Sequence, residues 1–539
     1  MRFAVDVRRL PWMRRLAVDY AFDYERLAPF FSGNPAEPAS WSAAVAAAHT
    51  HPRPRREIAE IVLAQQTRRG APPEAIAATR RLAEPGTVAI VTGQQAGLFG
   101  GPAFTLLKAA TAIRLAERVG REHGTTAVPV FWIDAEDHDW DEVRACAVLD
   151  SQLAPAVIEA APPDGAGERA IGSLRWPDDI TRATDALFEA LPATEFTPWL
   201  QEVVRAAYAP GHGIAESFGR VLETLLGSQG LVVYDASDPA AKPLVRELFA
   251  RELEHPGRTA LLAARAGADL VARGYHMQVS PHARSAALFE LDGGRVPISH
   301  DHGRFIVGDT ALPEADMVAR ARARPETFSP NVLLRPLVQD TLLPTVAYVA
   351  GPNELAYLAQ LRGVYEAFGV PMPLMQPRAT ATLIDAAGVR FLSKYGVPLE
   401  ALQARDERAL NELLKTLLPP SVERTIRETG DDLASRMENV VDAIGAIDPT
   451  LEGRARSSLG RMQHELETLH AKVLQAAKRR DDTLRRQFMH AQAQAFPEGQ
   501  PQERVVGGIS FVARFGPAVV TRLLEELPVD SGTHWVLTI

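Results

Sequence analysis

Hydrophobic and polar positions between residues 87 and 150 follow the pattern of a βαβ unit. Two short runs rich in β-branched and aromatic residues, TVAIVT and AVPVFWI, flank the helical pattern of GPAFTLLKAATAIRLAERV. Parallel strands need such a crossover helix, and units of this kind build Rossmann-like sheets. A further buried strand is predicted at LVVYDA, followed by a helix that begins near Pro239. The pattern therefore predicts an α/β fold with a parallel-sheet core.

A second periodicity occupies residues 424–490. Apolar residues alternate at spacings of four and three in two runs, which are Leu433, Met437, Val440, Ile444 and Ile447, and then, after Asp448–Pro449, Ala455, Leu459, Met462, Leu466, Leu469, Val473 and Ala476. Two heptad-patterned helices joined by a short break predict a C-terminal antiparallel coiled coil. We expect this coiled coil to form a homodimer, and packing on its own chain is the alternative.

The other segments complete the domain organisation. We predict an N-terminal helical region that packs on the core (1–85), a Rossmann-like core (86–385) with insertions (about 151–200 and 292–330), a helical coiled-coil domain (386–500) and a segment that returns to the core (501–539). Within the core, QVSPHARSAALFELDGGRVPI predicts short strands joined by an Asp-Gly-Gly turn.

Composition narrows the class of protein. A chain of 539 residues is too long for one compact core, and its 46% apolar and 23% charged content is that of an ordinary soluble protein. The net charge of −9 argues against a nucleic-acid partner. No run of about 18 apolar residues predicts a membrane span. Cys146 is the single cysteine, which excludes intrachain disulfides and Cys-rich zinc sites, and a cytoplasmic location is predicted.

The loop after the first predicted strand is a candidate anion site. It holds Gly93, Gly97, Gly100 and Gly101, and Pro102 follows near the first turn of the helix. Free N–H groups and the helix dipole favour a phosphate or carboxylate at such a place. The spacing is neither a Walker A loop nor G-x-G-x-x-G, so close packing of the helix on the sheet is the alternative.

Three polar side chains beside this loop extend the candidate site. Gln94 and Gln95 provide amides suited to polar recognition, although surface positions would explain them equally well. Lys108 adds a positive charge about two turns into the helix.

The segment PVFWIDAEDHDWDE supplies candidate acid–base chemistry. Six carboxylates surround His138 directly after a predicted strand, namely Asp134, Glu136, Asp137, Asp139, Asp141 and Glu142. His138 is the best candidate for a general base, because imidazole titrates near neutral pH and a flanking carboxylate can orient it. The alternatives are a Mg²⁺ site and a solvated acidic loop.

A third candidate segment runs from residue 331 to residue 378. Arg335 and Arg378 can each grip a carboxylate through two parallel hydrogen bonds, although surface ion pairs are the alternative. Asn353 is a candidate helix cap, and Tyr357 follows Glu354 by about one turn.

These segments together resemble the bacillithiol biosynthesis cysteine-adding enzymes, the cysteine ligase BshC family. The resemblance rests on TGQQAGLFGGPAFTLLKA, VPVFWIDAEDHDWDEV, LLRPLVQDTLLPTVAYVAGPNELAYLAQL and the terminal PQERV…FGP, with DY…FFSGNP near the N-terminus. The likeness spans nearly the whole chain in the expected order. It is weakest in the insertion at 151–200 and in the coiled coil.

The resemblance implies a Rossmann-type core with connecting-peptide insertions, similar to class I aminoacyl-tRNA synthetases, and a dimerising coiled coil. It implies that cysteine is joined through its carboxyl group to the amine of glucosaminyl-malate, in the last step of bacillithiol synthesis. Activation of that carboxylate points to ATP, with bound ATP or ADP, and to Mg²⁺ that accompanies the nucleotide. The glycine loop lacks the histidine of the synthetase motif, which leaves Lys108, Arg335 or Mg²⁺ to stabilise the transition state.

On this hypothesis His138, with Glu136 or Asp137, deprotonates the attacking amine. The residues expected to bind substrate or nucleotide are Gly93, Gln94, Gln95, Gly97, Gly100, Gly101, Thr105, Lys108, Asp139, Arg335, Gln339, Asn353, Glu354, Tyr357 and Arg378. We expect no zinc and no other metal held by the protein itself. The alternatives are a non-catalytic nucleotide-binding coiled-coil scaffold and a nucleotidyl- or glycosyltransferase.

Overall fold

The computed structural model describes residues 2–417, 420–480 and 482–539. The chain divides into two compact units. The first comprises residues 1–382 with 502–537 and 539, and the second comprises residues 383–501 with 538. The boundaries predicted from the sequence follow residues 385 and 500.

The strands alternate with helices in the first half of the chain, as a βαβ architecture requires. In chain order they are β1 (Arg2–Asp6), β2 (Val88–Gln94), β3 (Ala127–Ile133), β4 (Ala145–Leu149), β5 (Pro155–Glu159), β6 (Val232–Asp235), β7 (Ser285–Leu291), β8 (Arg295–Asp301), β9 (Arg304–Val307), β10 (Thr310–Pro313), β11 (Phe328–Pro330), β12 (Thr345–Ala350), β13 (Leu374–Pro377), β14 (Thr380–Ile384) and β15 (Thr533–Thr538).

The α-helices are, in chain order, α1 (Arg15–Phe22), α2 (Pro38–Thr50), α3 (Arg55–Arg69), α4 (Pro73–Leu82), α5 (Phe104–His123), α6 (Trp140–Val143), α7 (Ile180–Ala190), α8 (Thr197–Ala207), α9 (Ile214–Leu226), α10 (Arg246–Glu254), α11 (Arg258–Ala272), α12 (Glu314–Ala323), α13 (Arg335–Leu342), α14 (Pro352–Leu358), α15 (Arg362–Phe368), α16 (Ala386–Tyr395), α17 (Arg408–Leu417), α18 (Pro420–Gly445), α19 (Glu452–Arg480), α20 (Asp482–Ala495), α21 (Gln502–Val505), α22 (Gly508–Phe515) and α23 (Ala518–Glu526). Near Pro239, where the sequence predicted a helix, a 3-10 turn leads into α10.

The centre of the first unit is a parallel five-stranded sheet in the order β13-β12-β2-β3-β6. The chain runs from β2 through β3 to β6 at one edge, and then returns to the other side of β2 to form β12 and β13. The direction of winding therefore reverses between β2 and β12. Ligands on open α/β sheets bind in the crevice at such a reversal, beyond the carboxyl ends of the strands. The predicted Rossmann-like fold is confirmed.

Both faces of this sheet are covered, which explains the continuous apolar run of β2. Successive side chains of a strand point to opposite faces. Val88 and Ile90 pack in a core cluster with residues of α2 and α5. Ala89 and Val91 pack in the larger cluster, which includes residues of α1, α3 and α14. The helices α5 and α14 are thereby fixed on the sheet, and their N-terminal ends reach the crevice.

An antiparallel sheet is inserted between β6 and β12. Its strands lie in the order β10-β9-β8-β7-β11, and the predicted Asp-Gly-Gly turn joins β7 to β8. The insertion predicted at 292–330 thus begins inside this sheet, since β7 starts at Ser285. The insertion predicted at about 151–200 contains β5, α7 and the start of α8, and β5 forms a hairpin with β4, which precedes it.

The second unit consists of α16 to α20, and the coiled-coil prediction is confirmed by the pairing of α18 with α19. The described part of the hairpin buries Val441 and Ala455, whereas Val440, Met462 and Leu469 are 41%, 44% and 54% exposed. Each helix of the pair buries only the side chains that face the other helix. The remaining apolar residues of the heptad pattern are therefore exposed on the surface. Across the described ranges, no helix combines the length and the apolarity needed to cross a membrane.

The two ends of the chain meet in the sheet β1-β15-β14, where Arg2 lies opposite Leu537. His534 of β15 is buried there, with Nε2 2.8 Å from Thr382 Oγ1 and Nδ1 3.0 Å from Thr380 Oγ1. Burial lowers the pKa of His534 from 6.5 to about 4, because the imidazolium loses its hydration.

This burial predicts a loss of stability on acidification. The folded pKa of His534 lies below the unfolded value, so its stabilising contribution is complete above pH 6.5 and is lost as the pH falls towards 4. The change amounts to about 3 kcal/mol in the free energy of unfolding. We expect His534→Gln to remove this dependence in urea unfolding curves between pH 7 and pH 4. His302→Asn, at a side chain that is 93% exposed, is the control and should keep it. Parallel curves for all three proteins would contradict the prediction.

Candidate functional site

A cavity of about 790 Å³ lies at the carboxyl ends of β2, β3, β12 and β13, where the strand order reverses. Ten of the residues predicted from the sequence line it together: Gly93, Gln94, Gln95, Lys108, Asp137, Arg335, Asn353, Glu354, Tyr357 and Arg378. Asp134 and Glu142, two more of the carboxylates grouped around His138, also line it, and the structure adds Phe104, Phe289, Arg295, Asn331 and Arg504. The cavity has the size and the mixed polar character of a small-molecule site.

Lys108 links the end of β2 to α14, the helix that follows β12. From α5 its Nζ donates to Gly93 O at 2.5 Å and to Gln94 Oε1 at 3.3 Å, and it lies 2.6 Å from Glu354 Oε2. Burial lowers the pKa of Lys108, and the Glu354 carboxylate opposes that shift. Lys108 is therefore a fixed internal charge rather than a mobile one.

Glu354 is the other half of this contact. It accepts hydrogen bonds from Gly351 N–H at 2.6 Å and from the Tyr348 hydroxyl at 2.9 Å, which closes the first turn of α14. Burial acts to raise the pKa of Glu354, but Lys108 and these two donors outweigh it and hold that pKa below its ordinary value. Glu354 therefore stays ionised and paired.

Arg335 pairs with Asp134, the first residue after β3. Arg335 Nε lies 3.2 Å from Asp134 Oδ2, and Arg335 also donates to the Tyr357 hydroxyl at 2.8 Å. Burial alone would lower the pKa of Arg335, but the Asp134 carboxylate raises it instead. The guanidinium thus links the ends of β3 and β12 across β2.

Asp137 is held by three neighbours. Arg295 of β8 donates to Asp137 Oδ1 at 3.0 Å, and Gln95 Nε2 donates to Asp137 Oδ2 at 2.9 Å. His138 Nδ1 lies 3.2 Å from Asp137 Oδ1. The buried Gln95 Oε1 faces no hydrogen-bond partner among the described residues.

Arg378 follows β13 and meets the segment that returns from the C-terminal region. Its two terminal nitrogens donate to the two carboxylate oxygens of Glu503 at 2.9 and 2.7 Å, and its guanidinium lies over the Phe104 ring at 5.5 Å. Both residues of the ion pair are buried. This fork is already filled by a protein carboxylate, which is not the substrate-binding arrangement that the sequence predicted.

Of the four loop glycines only Gly93 lines the cavity, whereas Gly97, Gly100 and Gly101 turn the chain. Gly100 and Gly101 have φ of +92° and +70°, a region that favours glycine. The N–H groups of Gly97, Gly100 and Gly101 donate to Gln95 O, Gly97 O and Leu98 O, and Gly100 N–H also donates to the Tyr208 hydroxyl at 3.2 Å. A Cβ at Gly97 would lie 3.0 Å from Gly101 Cα. For these three glycines the contacts agree with the alternative interpretation, in which the loop allows the helix to pack closely on the sheet.

Several other predicted residues lie outside the cavity. Glu136 is buried in an ion pair with Lys242. Asp139 accepts from Glu142 N–H at 3.3 Å and caps α6. His138 is partly exposed and is also not a lining residue.

The remaining two predicted site residues, Gln339 and Thr105, are buried and do not line the cavity. Gln339 Nε2 donates to Asp340 Oδ1 at 2.9 Å, while Thr105 is buried in the first turn of α5. The predicted roles of these residues at the substrate stay predictions that the placement does not favour.

Two basic residues of the cavity were missed by motif reasoning. Arg295 follows the Asp-Gly-Gly turn of the inserted sheet, more than 150 residues from its partner Asp137. Arg504 belongs to the PQERV stretch, which was noted for resemblance and not for chemistry. Only the inserted sheet and the returning segment bring them to the strand ends.

Comparisons with known proteins agree with this architecture. The family described as "Bacillithiol biosynthesis BshC, N-terminal Rossmann-like domain" matches residues 4–379, and the companion C-terminal coiled-coil domain matches residues 381–539. This chain belongs to the BshC family. The predicted resemblance is thereby confirmed over nearly the whole chain.

Relatives of this BshC-family chain carry the name "Putative cysteine ligase BshC". The protein of Salinibacter ruber is 36% identical over 528 residues, covering 97% of this chain and 96% of the relative. Those of Koribacter versatilis and Solibacter usitatus are 33% and 30% identical and cover 97% and 98% of both chains. Within the described part of the BshC-family chain, no three His, Cys, Asp or Glu side chains form a metal-binding group.

The Lys108–Glu354 pair predicts a strong stability effect. Removing one partner leaves a buried charge alone, and we expect Lys108→Met or Glu354→Gln to lower the free energy of unfolding by about 3 kcal/mol. The double variant should lose less than the sum of the two, as measured by urea unfolding followed through tryptophan fluorescence. Arg205→Met and Asp185→Asn break an exposed ion pair of 2.7 Å and serve as the control, with losses below about 1 kcal/mol. Additive losses at Lys108 and Glu354 would contradict the coupling.

Proposed function

We propose that this BshC-family protein is a ligase that joins the carboxyl group of L-cysteine to the amine of glucosaminyl-malate, in the last step of bacillithiol biosynthesis. The observation that carries the proposal is the cavity at the point where the strand order reverses between β2 and β12. Basic and acidic side chains line it as ion pairs. The names of the relatives support cysteine as the substrate.

The charges of the wall match the charges of both substrates. Cysteine carries an ammonium and a carboxylate, and glucosaminyl-malate carries an amine and two carboxylates. The paired side chains Lys108–Glu354 and Arg335–Asp134 are held by packing before a ligand arrives, so they do not need to reorganise during the reaction. Gln95 also lines the cavity, and its buried Oε1 has no hydrogen-bond partner among the described residues.

Arg504 is the best candidate to hold a malate carboxylate. It lines the cavity, and among the described residues it makes no hydrogen bond and no ion pair with another side chain. Arg335 and Arg378, the predicted carboxylate binders, are already engaged by Asp134 and Glu503. Partial burial and the nearby Arg378 charge lower the pKa of Arg504, a shift that an incoming carboxylate would reverse.

We include ATP in the proposal, with Mg²⁺ as the ion that accompanies its phosphates. A carboxylate does not condense with an amine in water unless it is activated, and ATP supplies that activation. The cavity fits a nucleotide in two respects, its volume of about 790 Å³ and its five basic side chains. Arg504 is the basic side chain of the cavity without an ion pair among the described residues, so it is the group best able to meet a phosphate charge.

The ligase proposal predicts a product and a specific binding defect. Purified protein with cysteine, glucosaminyl-malate and ATP-Mg²⁺ should form the amide, detected by mass spectrometry. Arg504→Ala should raise KM for glucosaminyl-malate about tenfold, which corresponds to about 1.4 kcal/mol, and leave KM for cysteine unchanged. Arg205→Ala, at an exposed side chain remote in sequence, is the control and should behave as wild type.

Other outcomes of this assay would decide for the alternatives. A folded protein that forms no amide with any nucleoside triphosphate overturns the ligase proposal. Nucleotide binding without turnover would then support the scaffold, and consumption of a sugar nucleotide would support a transferase.

We also propose that the chain forms a homodimer through its coiled coil and works in the cytoplasm. The support for the dimer is the row of heptad residues that the hairpin leaves on its surface, including Val440, Met462 and Leu469. A second copy of the same hairpin would cover these side chains and complete the heptad pattern. The cytoplasmic location agrees with a chain that has a single cysteine, which is buried.

The dimer proposal predicts a change of mass on substitution. Light scattering coupled to size exclusion should give twice the chain mass of 58.6 kDa for the wild type. Leu469→Glu should shift the protein to the monomer mass, because a charge would be buried without a partner. Gln463→Glu adds the same charge at an exposed position of α19 and should leave the dimer intact. A wild type that is monomeric would overturn the proposal.

A further inference from the structure

The carboxylates that line the cavity differ in whether they have a partner. Asp134 pairs with Arg335, Asp137 with Arg295, and Glu354 with Lys108. The Glu142 carboxylate lines the same cavity and makes no ion pair or hydrogen bond within the described ranges. A carboxylate that is fixed and neutralised by a basic neighbour is a poor proton acceptor, whereas one without such a neighbour is free to take a proton.

The local structure presents Glu142 to incoming molecules. It lies in the short helix α6, which forms the end of the acidic segment that follows β3. The side chain of Asp139 accepts from the N–H of Glu142 at 3.3 Å and so fixes its backbone. Glu142 is exposed while lining the cavity, which places its carboxylate where solvent and a second substrate have access.

The other candidate bases lack this combination. His138 and Glu136 do not line the cavity, and Glu136 is neutralised by Lys242. Asp137 lines the cavity, but Arg295, Gln95 and the His138 N–H all donate to its two oxygens. Among the six carboxylates around His138, Glu142 is thus the one that lines the cavity without a hydrogen bond or ion pair to its carboxylate within the described ranges.

We infer that Glu142 is the general base that takes the proton from the amine of glucosaminyl-malate. This role rests on the ligase activity proposed above. The aminosugar ammonium transfers one proton to the Glu142 carboxylate, and the freed nitrogen lone pair attacks the carbonyl carbon of cysteine that ATP has activated. A C–N bond forms, and the C–O bond to the phosphate or nucleotide leaving group breaks. The second proton of the forming amide leaves with the oxygen of that departing group.

Electrostatics support this assignment. Partial burial raises the pKa of Glu142, and repulsion by neighbouring carboxylates raises it further. A carboxylate with a higher pKa is a stronger proton acceptor, provided that it is ionised at the working pH. The charged groups that line the cavity or lie beside Glu142 are Asp134, Asp137, Asp139, Glu354, Lys108, Arg295, Arg335, Arg378 and Arg504. Because the ionised form is the active one, kcat/KM should rise with pH through the pKa of Glu142.

The test compares two amines with the same enzyme. Glutamine at position 142 keeps the shape of the side chain but cannot take a proton, so Glu142→Gln should lower kcat with glucosaminyl-malate by about 10²-fold or more. The part of the acidic limb that reflects ionisation of Glu142 should disappear, which leaves only the rise that follows deprotonation of the substrate amine. Hydroxylamine is largely neutral at pH 7 and needs no base, so the variant should still form cysteine hydroxamate from cysteine and ATP at the wild-type rate. Glu142→Asp should restore part of the activity and the acidic limb.

Glu159→Gln is the matched control, because Glu159 is an exposed glutamate of β5 that pairs with Arg144. It should retain wild-type kinetics with both amines. A Glu142→Gln variant with wild-type kcat and pH profile would overturn the inference, and so would an equal loss with hydroxylamine, which indicates a structural role. Failure of the ligase proposal looks different, since the wild type itself would then form neither the hydroxamate nor the amide.

Discussion

The contact between Lys108 and Glu354 holds together the part of the molecule where the strand order reverses. Lys108 comes from the helix that follows β2, and Glu354 comes from the helix that follows β12. Both helices are anchored on the sheet by apolar packing, so their N-terminal ends are brought to the same edge. A lysine buried at that edge requires a carboxylate, and Glu354 supplies it while also closing the first turn of its own helix. The crevice is thereby fixed in shape and charge before any ligand is present.

The same requirement for pairing governs the other charges of the cavity. Three further basic side chains of the cavity form ion pairs with carboxylates: Arg335 with Asp134, Arg295 with Asp137 and Arg378 with Glu503. Those pairs tie the inserted antiparallel sheet and the returning C-terminal segment to the strand ends. Charges that are more exposed need no such partner, since water solvates them. Glu142 and Arg504 belong to this second class, and it is these two that a substrate with an amine and carboxylates would meet unpaired.

The second unit obeys a different constraint. Its helices α18 and α19 have apolar residues at coiled-coil spacing, but two helices bury only the stripe that each presents to the other. Val441 and Ala455 are buried, while Met462 and Leu469 remain on the surface. The heptad pattern includes more apolar residues than the contact between α18 and α19 buries, and this excess is the reason for proposing a homodimer. The sequence sets the heptad pattern, whereas the burial of these apolar side chains depends on the surface against which the hairpin packs.

The sequence by itself determined the elements and the family. Continuous apolar runs made β2 and β3 recognisable, the four–three alternation made the coiled coil recognisable, and the long motifs identified the BshC family. It also located ten of the cavity residues, because the carboxyl ends of adjacent parallel strands meet at one edge. Only the tertiary structure decided which charged groups are already paired. The partners Arg295 and Glu503 lie more than a hundred residues from Asp137 and Arg378, and no local spacing encodes such contacts. Burial makes each pairing obligatory, so Arg378 lines the cavity already paired with Glu503, whereas Glu142 and Arg504 line it without an ion pair among the described residues.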